Sequence, residues 1–204
     1  MDIPRTILFD FDGVLCHDRF YGNRMQSQYP NVYDWIQQNI FGKDSRIVKD
    51  WMRRKISARE VNRIIAENTG IEKELLHGML VDSVKEMKID ERMMEEAGRL
   101  KRSRCKLCLV TDNMDVFTEI TVGNHKLNNL FDGIVNSADH GCLKKDENGK
   151  LFDIALSMVG EGDIEHTLLI DDSADAIELY RKKGGNAHHY RNFDEFMKES
   201  LCHR

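Results

Sequence analysis

Proline is nearly absent, with two in 204 residues. A chain with so few has no proline-rich linker, and the scarcity fits a helix-rich fold. No apolar run approaches the roughly 20 residues of a membrane span, so no membrane partner is expected. Positive charge is not in excess: 30 Lys and Arg stand against 35 Asp and Glu, a formal net charge of −5. Nucleic-acid backbones need clustered positive charge, so a nucleic acid is excluded as the main partner, while a small basic pocket for one phosphate is not. The start, Met1-Asp2-Ile3-Pro4-Arg5, runs toward an apolar stretch and lacks the form of a signal peptide. A soluble, cytoplasmic protein is the expectation. Five scattered cysteines give no disulfide framework. Cys105-Lys-Leu-Cys108 has the C-x-x-C spacing but no second pair to complete a metal site, so both thiols read as core packing. Nothing in the sequence specifies an oligomeric state.

What is present is organised around Ile7-Leu8-Phe9, a short β-type apolar run ending in Asp10-Phe11-Asp12-Gly13-Val14-Leu15. Such a run closed by a glycine turn reads as a buried strand. Open α/β sheets place their ligands beyond the carboxyl ends of strands, which is where Asp10 and Asp12 fall. Two carboxylates this close repel unless a cation or a proton lies between them. The pair therefore points to a divalent metal and two acids with different tasks, although a D-x-D alone is also the composition of a solvated turn or a helix cap.

From residue 16 to 87 the periods are helical. Val32, Trp35, Ile36 and Ile40 form one face over 31–41; Ile47, Val48, Trp51 and Met52 repeat it over 44–55. Ser57-Ala-Arg-Glu60 is a capping box opening a helix that Gly70 stops. Over 72–87, Leu75, Leu76, Met79, Leu80 and Val84 form the buried stripe. Trp35 and Trp51 read as the core of this block. His17, Asp18, Arg19, Tyr21 and Arg24 read as surface hinge residues, the nearest in sequence to a site mouth. After Asp90, which caps a helix to about Arg102, strand and helix alternate: strands at 106–110, 133–136, 167–170 and 187–190, helices at 116–124, 151–159 and 174–183, and a last short helix at Phe193, Phe196 and Met197. That alternation predicts an α/β fold with a mainly parallel sheet covered on both faces.

The strand ends carry more chemistry. Thr111-Asp112-Asn113 follows the strand ending at Val110, and a hydroxyl with backbone N–H groups opening a helix is an anion seat or an ordinary N-cap. Ser137 to Asp146 includes Gly141-Cys-Leu-Lys144-Lys145. Thr167-Leu-Leu-Ile170 runs into Asp171-Asp172-Ser173, two carboxylates that are costly to bury without a use.

Taken together, D-F-D-G-V-L, Thr111, Gly141-x-x-Lys144 and Asp171-Asp172, in this order and each after a strand, resemble the four motifs of the haloacid dehalogenase superfamily, in its subfamily I form with a helical cap between the first two. The resemblance implies a Rossmann-like core, strand order 5-4-1-2-3, made of residues 1–15 and 88–204, with an all-helical cap over 16–87. It implies Asp10 as nucleophile, Asp12 as general acid and base, and Thr111 and Lys144 as phosphoryl-holding groups. Asp172 is then the direct metal ligand, with Asp171 a second or alternative ligand. Members with a further acid four residues past Asp172 have Ala176 at that place here, and Asp175 is not carried over. Hard oxygen donors from Asp10, Asp172 and the Asp12 backbone carbonyl suit Mg²⁺. The implied function is Mg²⁺-dependent hydrolysis of a small phosphorylated substrate through an aspartyl-phosphate. A phosphomutase, a haloacid dehalogenase or a non-catalytic phosphate-binding protein are the alternatives.

Overall fold

The computed structural model describes residues 4–201. Five strands form one parallel sheet: β1 (Thr6–Phe9), β2 (Lys106–Thr111), β3 (Gly133–Asn136), β4 (Thr167–Asp171) and β5 (Asn186–His189). Their order is β3-β2-β1-β4-β5, the expected 5-4-1-2-3 read from the other edge. β1 is central, with Leu8 opposite both Cys108 of β2 and Leu169 of β4. Strands are added outward from β1 first on one side and then on the other, so the ends of β2 and β4 flank Asp10 at the switch point of the sheet.

Alternation along each strand divides the core in two. Leu8, Cys108, Val110, Val135 and Leu169 face one side. There they meet Leu151, Phe152 and Ala155 of α9 (Lys150–Met158) and Ile177 and Tyr180 of α10 (Ala174–Lys182). Ile7, Phe9, Leu107, Leu109 and Ile170 face the other side. That face is covered by Met93 and Ala97 of α6 (Glu91–Arg102), by Phe196 of α11 (Phe193–Leu201), and by a cluster that continues into the inserted helices. Burial on both faces explains why β1 and β4 read as unbroken apolar runs.

The insertion comprises α1 (Gly22–Gln28), α2 (Pro30–Asn39), α3 (Arg46–Trp51), α4 (Ala58–Thr69) and α5 (Lys73–Lys85). The Ser57–Glu60 capping box is formed, and Gly70 ends α4 in the left-handed conformation. Three local expectations are corrected. The helix expected over 44–55 ends at Trp51, because the chain leaves helical geometry at Arg54 (φ 52°) while the Met52 carbonyl accepts from Ser137 Oγ at 2.7 Å. Leu75 is not on the buried stripe of α5; it is exposed. Tyr21 is not a surface hinge residue: it is fully buried and its hydroxyl donates to Asn62 Oδ1 at 2.8 Å. α1 went unseen because only Met25 of its seven residues is a buried apolar one, so no period is visible. The helix expected over 116–124 is a π turn (Phe117–Thr121) running into α7 (Val122–Asn124), and a four-residue α8 (Ser137–His140) follows β3.

The ends of the insertion run beside each other. Leu15 O accepts from Asp90 N at 2.7 Å, and Cys16 bridges Ile89 antiparallel. Cys105 and Cys108 are both buried and free, as packing required. Among the described residues no helix is long and apolar enough to cross a membrane.

Candidate active site

Asp10 extends the ladder of β1 by one residue, its N–H donating to Ile170 O at 2.9 Å. Its carboxylate is thereby carried to the end of the central strand, buried, with Oδ1 accepting from Phe11 N at 2.7 Å. β4 ends at Asp171, so that carboxylate arrives beside it. Between them lies Lys144, from the segment after α8, whose Nζ is 2.7 Å from both Asp10 Oδ2 and Asp171 Oδ2. All three side chains are almost completely buried. Lys145, by contrast, is exposed and pairs with Asp175 at 2.7 Å.

Asp172, one residue past β4, leans over the Gly13 turn. Gly13 has φ +77°, and a Cβ built there would stand 2.2 Å from Asp172 Oδ2. Only glycine permits both the left-handed turn and that approach. Asp10, Asp171 and Asp172 can each offer an oxygen such that all three lie within 4.8 Å of one another. Asp12 stands apart from Lys144; its Oδ2 accepts from Asn113 Nδ2 at 2.8 Å. Thr111, at the end of β2, is fully buried and its Oγ1 has no hydrogen-bond partner among the described residues. Such an orphaned hydroxyl at a strand end is available to an anion.

The electrostatics follow from burial. One ammonium, Lys144, faces the carboxylates of Asp10, Asp12, Asp112, Asp171 and Asp172. Burial works against the Lys144 ammonium, but Asp10, Asp171 and Asp112 outweigh it and hold it firmly protonated. Burial lifts Asp10 well above the usual carboxylate range, against Lys144 and with Asp171. Asp12 is pushed up to about 7, by burial first, with Lys144 opposing and Asp172 adding. Asp172 is raised by burial and by Asp171. This acid excess in hard oxygen donors fits a divalent cation, which would favour the ionised forms of the carboxylates touching it.

Each residue singled out by its motif therefore lies at one end of the sheet: Asp10, Asp12, Thr111, Lys144, Asp171 and Asp172. His17, Asp18 and Arg19 are exposed. Asp18 accepts from Lys88 N, and Arg24 pairs with Asp82 at 2.7 Å. Sequence reasoning gave no role to four neighbours. Asp112 Oδ1 accepts from the backbone N–H of Lys144 at 2.7 Å, which places that lysine. Asn113 holds Asp12, Ser137 Oγ accepts from Asn113 N at 3.0 Å, and buried Asp115 joins the inserted helices to the sheet. Its Oδ1 accepts from Trp51 Nε1 at 2.7 Å and its Oδ2 from Ala58 N at 3.0 Å. The available signal was the density of polar residues in Thr111-Asp-Asn-Met-Asp115, next to a strand that is otherwise apolar.

A parallel sheet with a lysine-centred acid cluster at the switch point defines an α/β enzyme-type site. The family description "haloacid dehalogenase-like hydrolase" matches residues 4–179, and the chain belongs to that family. Among solved structures it resembles a predicted HAD-like family hydrolase from Porphyromonas gingivalis (20% identity, TM-score 0.73, 98% of each chain covered). It also resembles a HAD family enzyme from Bacteroides thetaiotaomicron, solved in complex with magnesium and inorganic phosphate (18% identity, TM-score 0.67, 91% of this chain and 93% of that one). The L-2-haloacid dehalogenase of Xanthobacter autotrophicus shares the fold as well (15% identity, TM-score 0.66, 90% and 76% covered). No curated protein matches the chain.

Proposed function

We propose that this hydrolase cleaves small phosphomonoesters, with Asp10 as nucleophile. The observation that carries the reading is the division of labour between two acids on one loop. Asp10 is locked to Lys144 beside Asp171 and Asp172, while Asp12 is held apart on a neutral donor and pushed up to about 7. Displacement of halide from carbon needs neither a proton donor at Asp12 nor the acid pair 171–172, and that favours phosphate esters over haloacids. Residues 16–87 are taken as the cap and 1–15 with 88–204 as the catalytic core, in a cytoplasmic protein.

Asp10, Asp172 and the Asp12 backbone carbonyl would hold Mg²⁺, with Asp171 behind them on Lys144. When bound, the ion supplies positive charge that lets an anionic carboxylate approach an anionic phosphoryl group. Lys144 and the free Thr111 hydroxyl take phosphoryl oxygens from the protein side. Asp10 bonds to phosphorus as the ester P–O bond breaks, and Asp12 gives its proton to the departing oxygen. Asp12 then takes a proton from the water that cleaves the aspartyl-phosphate, which returns both acids to their starting state. The magnesium and phosphate held by the similarly folded Bacteroides enzyme support this reading.

The test is hydrolysis of 4-nitrophenyl phosphate with Mg²⁺, with chelator, and by Asp10→Asn. Release that needs the metal and falls to background in the variant is expected. Wild-type turnover by Asp10→Asn would refute the nucleophile.

A further inference from the structure

The contacts of Asn113 are more specific than a buried turn requires. Asn113 is completely buried. Its Oδ1 accepts from Met114 N at 2.9 Å, which settles the orientation of the amide: the NH₂ group is the end that faces Asp12. Nδ2 then donates to Asp12 Oδ2 at 2.8 Å. That bond occupies Oδ2 and leaves Oδ1 as the oxygen free to exchange a proton. Asp12 would otherwise be drawn toward Lys144 and pushed from Asp10 and Asp172, the charged groups that act on it. Lys144 is already committed to Asp10 and Asp171 at 2.7 Å each. A third carboxylate turning onto it would leave the place where a leaving oxygen has to be met.

Asn113 is itself held from the inserted helices. Its N–H donates to Ser137 Oγ at 3.0 Å, and the single proton of that hydroxyl has Met52 O at 2.7 Å and Asn113 O at 3.1 Å as acceptors. The nearer acceptor belongs to the turn after α3. A continuous chain thus runs from Met52 through Ser137 and Asn113 to Asp12, its successive links spanning 85, 24 and 101 residues of sequence. Buried networks in which every member is satisfied rigidify their site.

We infer that Asn113 is the positioning residue of Asp12: it holds the carboxyl clear of Lys144 and leaves Oδ1 turned free to exchange a proton. This rests on the reading of Asp12 as general acid and base given above. Proton transfer from a placed group is worth about 10² to 10⁴ in rate, and its value grows as the leaving group becomes more basic. The experiment compares phenyl phosphate with 4-nitrophenyl phosphate, using the full chain with Mg²⁺. In Asn113→Ala, kcat/KM is expected to fall on the order of 30-fold for phenyl phosphate and about tenfold less than that for 4-nitrophenyl phosphate. Equal losses on the two esters, or none, would overturn the inference, since a loosened fold slows both alike. Asn113→Asp, of the same size, replaces the donor by a carboxylate and is expected to lose at least as much; it serves if the alanine variant does not fold. A crystal structure of either variant reads the geometry without turnover. Asp12 rotated from its place supports the inference, and Asp12 unmoved refutes it. That readout stands even if the wild-type chain hydrolyses neither ester, a result that would count against the phosphatase reading alone.

Discussion

Asp115→Ala tests how the inserted helices are fastened to the sheet. The Asp115 carboxylate is 4% exposed and accepts three N–H groups: Trp51 Nε1, Ala58 N and Val116 N, at 2.7, 3.0 and 2.9 Å. The first two come from the insertion, one from the end of α3 and one from the first turn of α4. Truncation strands both in a dry environment. Each buried donor left without a partner costs about 1–3 kcal/mol, so the expected loss is about 4 kcal/mol. For a domain of 150–250 residues that lowers Tm by about 8–16 °C. Trp51→Phe removes one donor but keeps a ring against Phe20 and Phe41, its aromatic neighbours. Urea denaturation of the wild type, both single variants and the double variant closes a cycle. A coupling of about 1 kcal/mol or more is expected for groups in direct contact. A loss under 1 kcal/mol for Asp115→Ala, or a coupling near zero, would show that apolar contacts alone hold the insertion.

Other consequences can be measured directly. Lys144→Met leaves Asp10 and Asp171 buried without their cation, so a loss of about 3–5 kcal/mol and of all the proposed phosphatase activity is expected, whereas Lys145→Met should stay within about 0.5 kcal/mol and keep it; the reverse order in melting and turnover would misplace the site lysine. Gly13→Ala forces a Cβ into Asp172 and into a left-handed φ, and a rise of at least about tenfold in the Mg²⁺ needed for half-maximal rate is expected; an unchanged Mg²⁺ titration would remove Asp172 from the metal. His188 lies half-buried against Glu199 at 3.0 Å, with His189 and Arg181 also acting on it. Burial lowers its pKa although Glu199 opposes, so the fold prefers the neutral ring. That contribution is complete above the unfolded value of about 6.5 and is lost as pH falls through the folded one. Relative to His188→Gln, the wild type should therefore lose extra stability on acidification below about pH 6.5, read by urea midpoints. A constant difference between the two proteins across pH 5–8 would refute it.

The parts legible in the sequence are those whose cause is local. β1 and β4 are buried on both faces, so Ile7-Leu8-Phe9 and Leu168-Leu169-Ile170 show as unbroken apolar runs, and the acids that end them show as a change of composition at a strand end. The α4 cap was equally plain, because Ser57 and Glu60 satisfy each other within one turn. The resemblance added what no local pattern carries: the order of the strands and the choice of Lys144. By local chemistry Lys144 and Lys145 are the same residue type side by side. Only the path of the segment after Gly141, whose Lys144 N–H is taken by Asp112, sends one into the acid cluster and the other to Asp175.

What the tertiary structure alone decided has one physical reason: a buried polar side chain is defined by a partner far away in sequence. Asn113 meets Asp12 across 101 residues, Trp51 meets Asp115 across 64, and Ser137 meets Met52 across 85. In the linear chain each is a polar residue in a turn or an apolar one on a helix face. Tyr21 and the early end of α3 follow the same rule, since both answer to hydrogen bonds reaching across the insertion or out of it. The sequence by itself determined an α/β chain with acids waiting at its strand ends. Folding determined which of them are neighbours, because β2 and β4, 61 residues apart from Lys106 to Thr167, are brought to either side of Asp10.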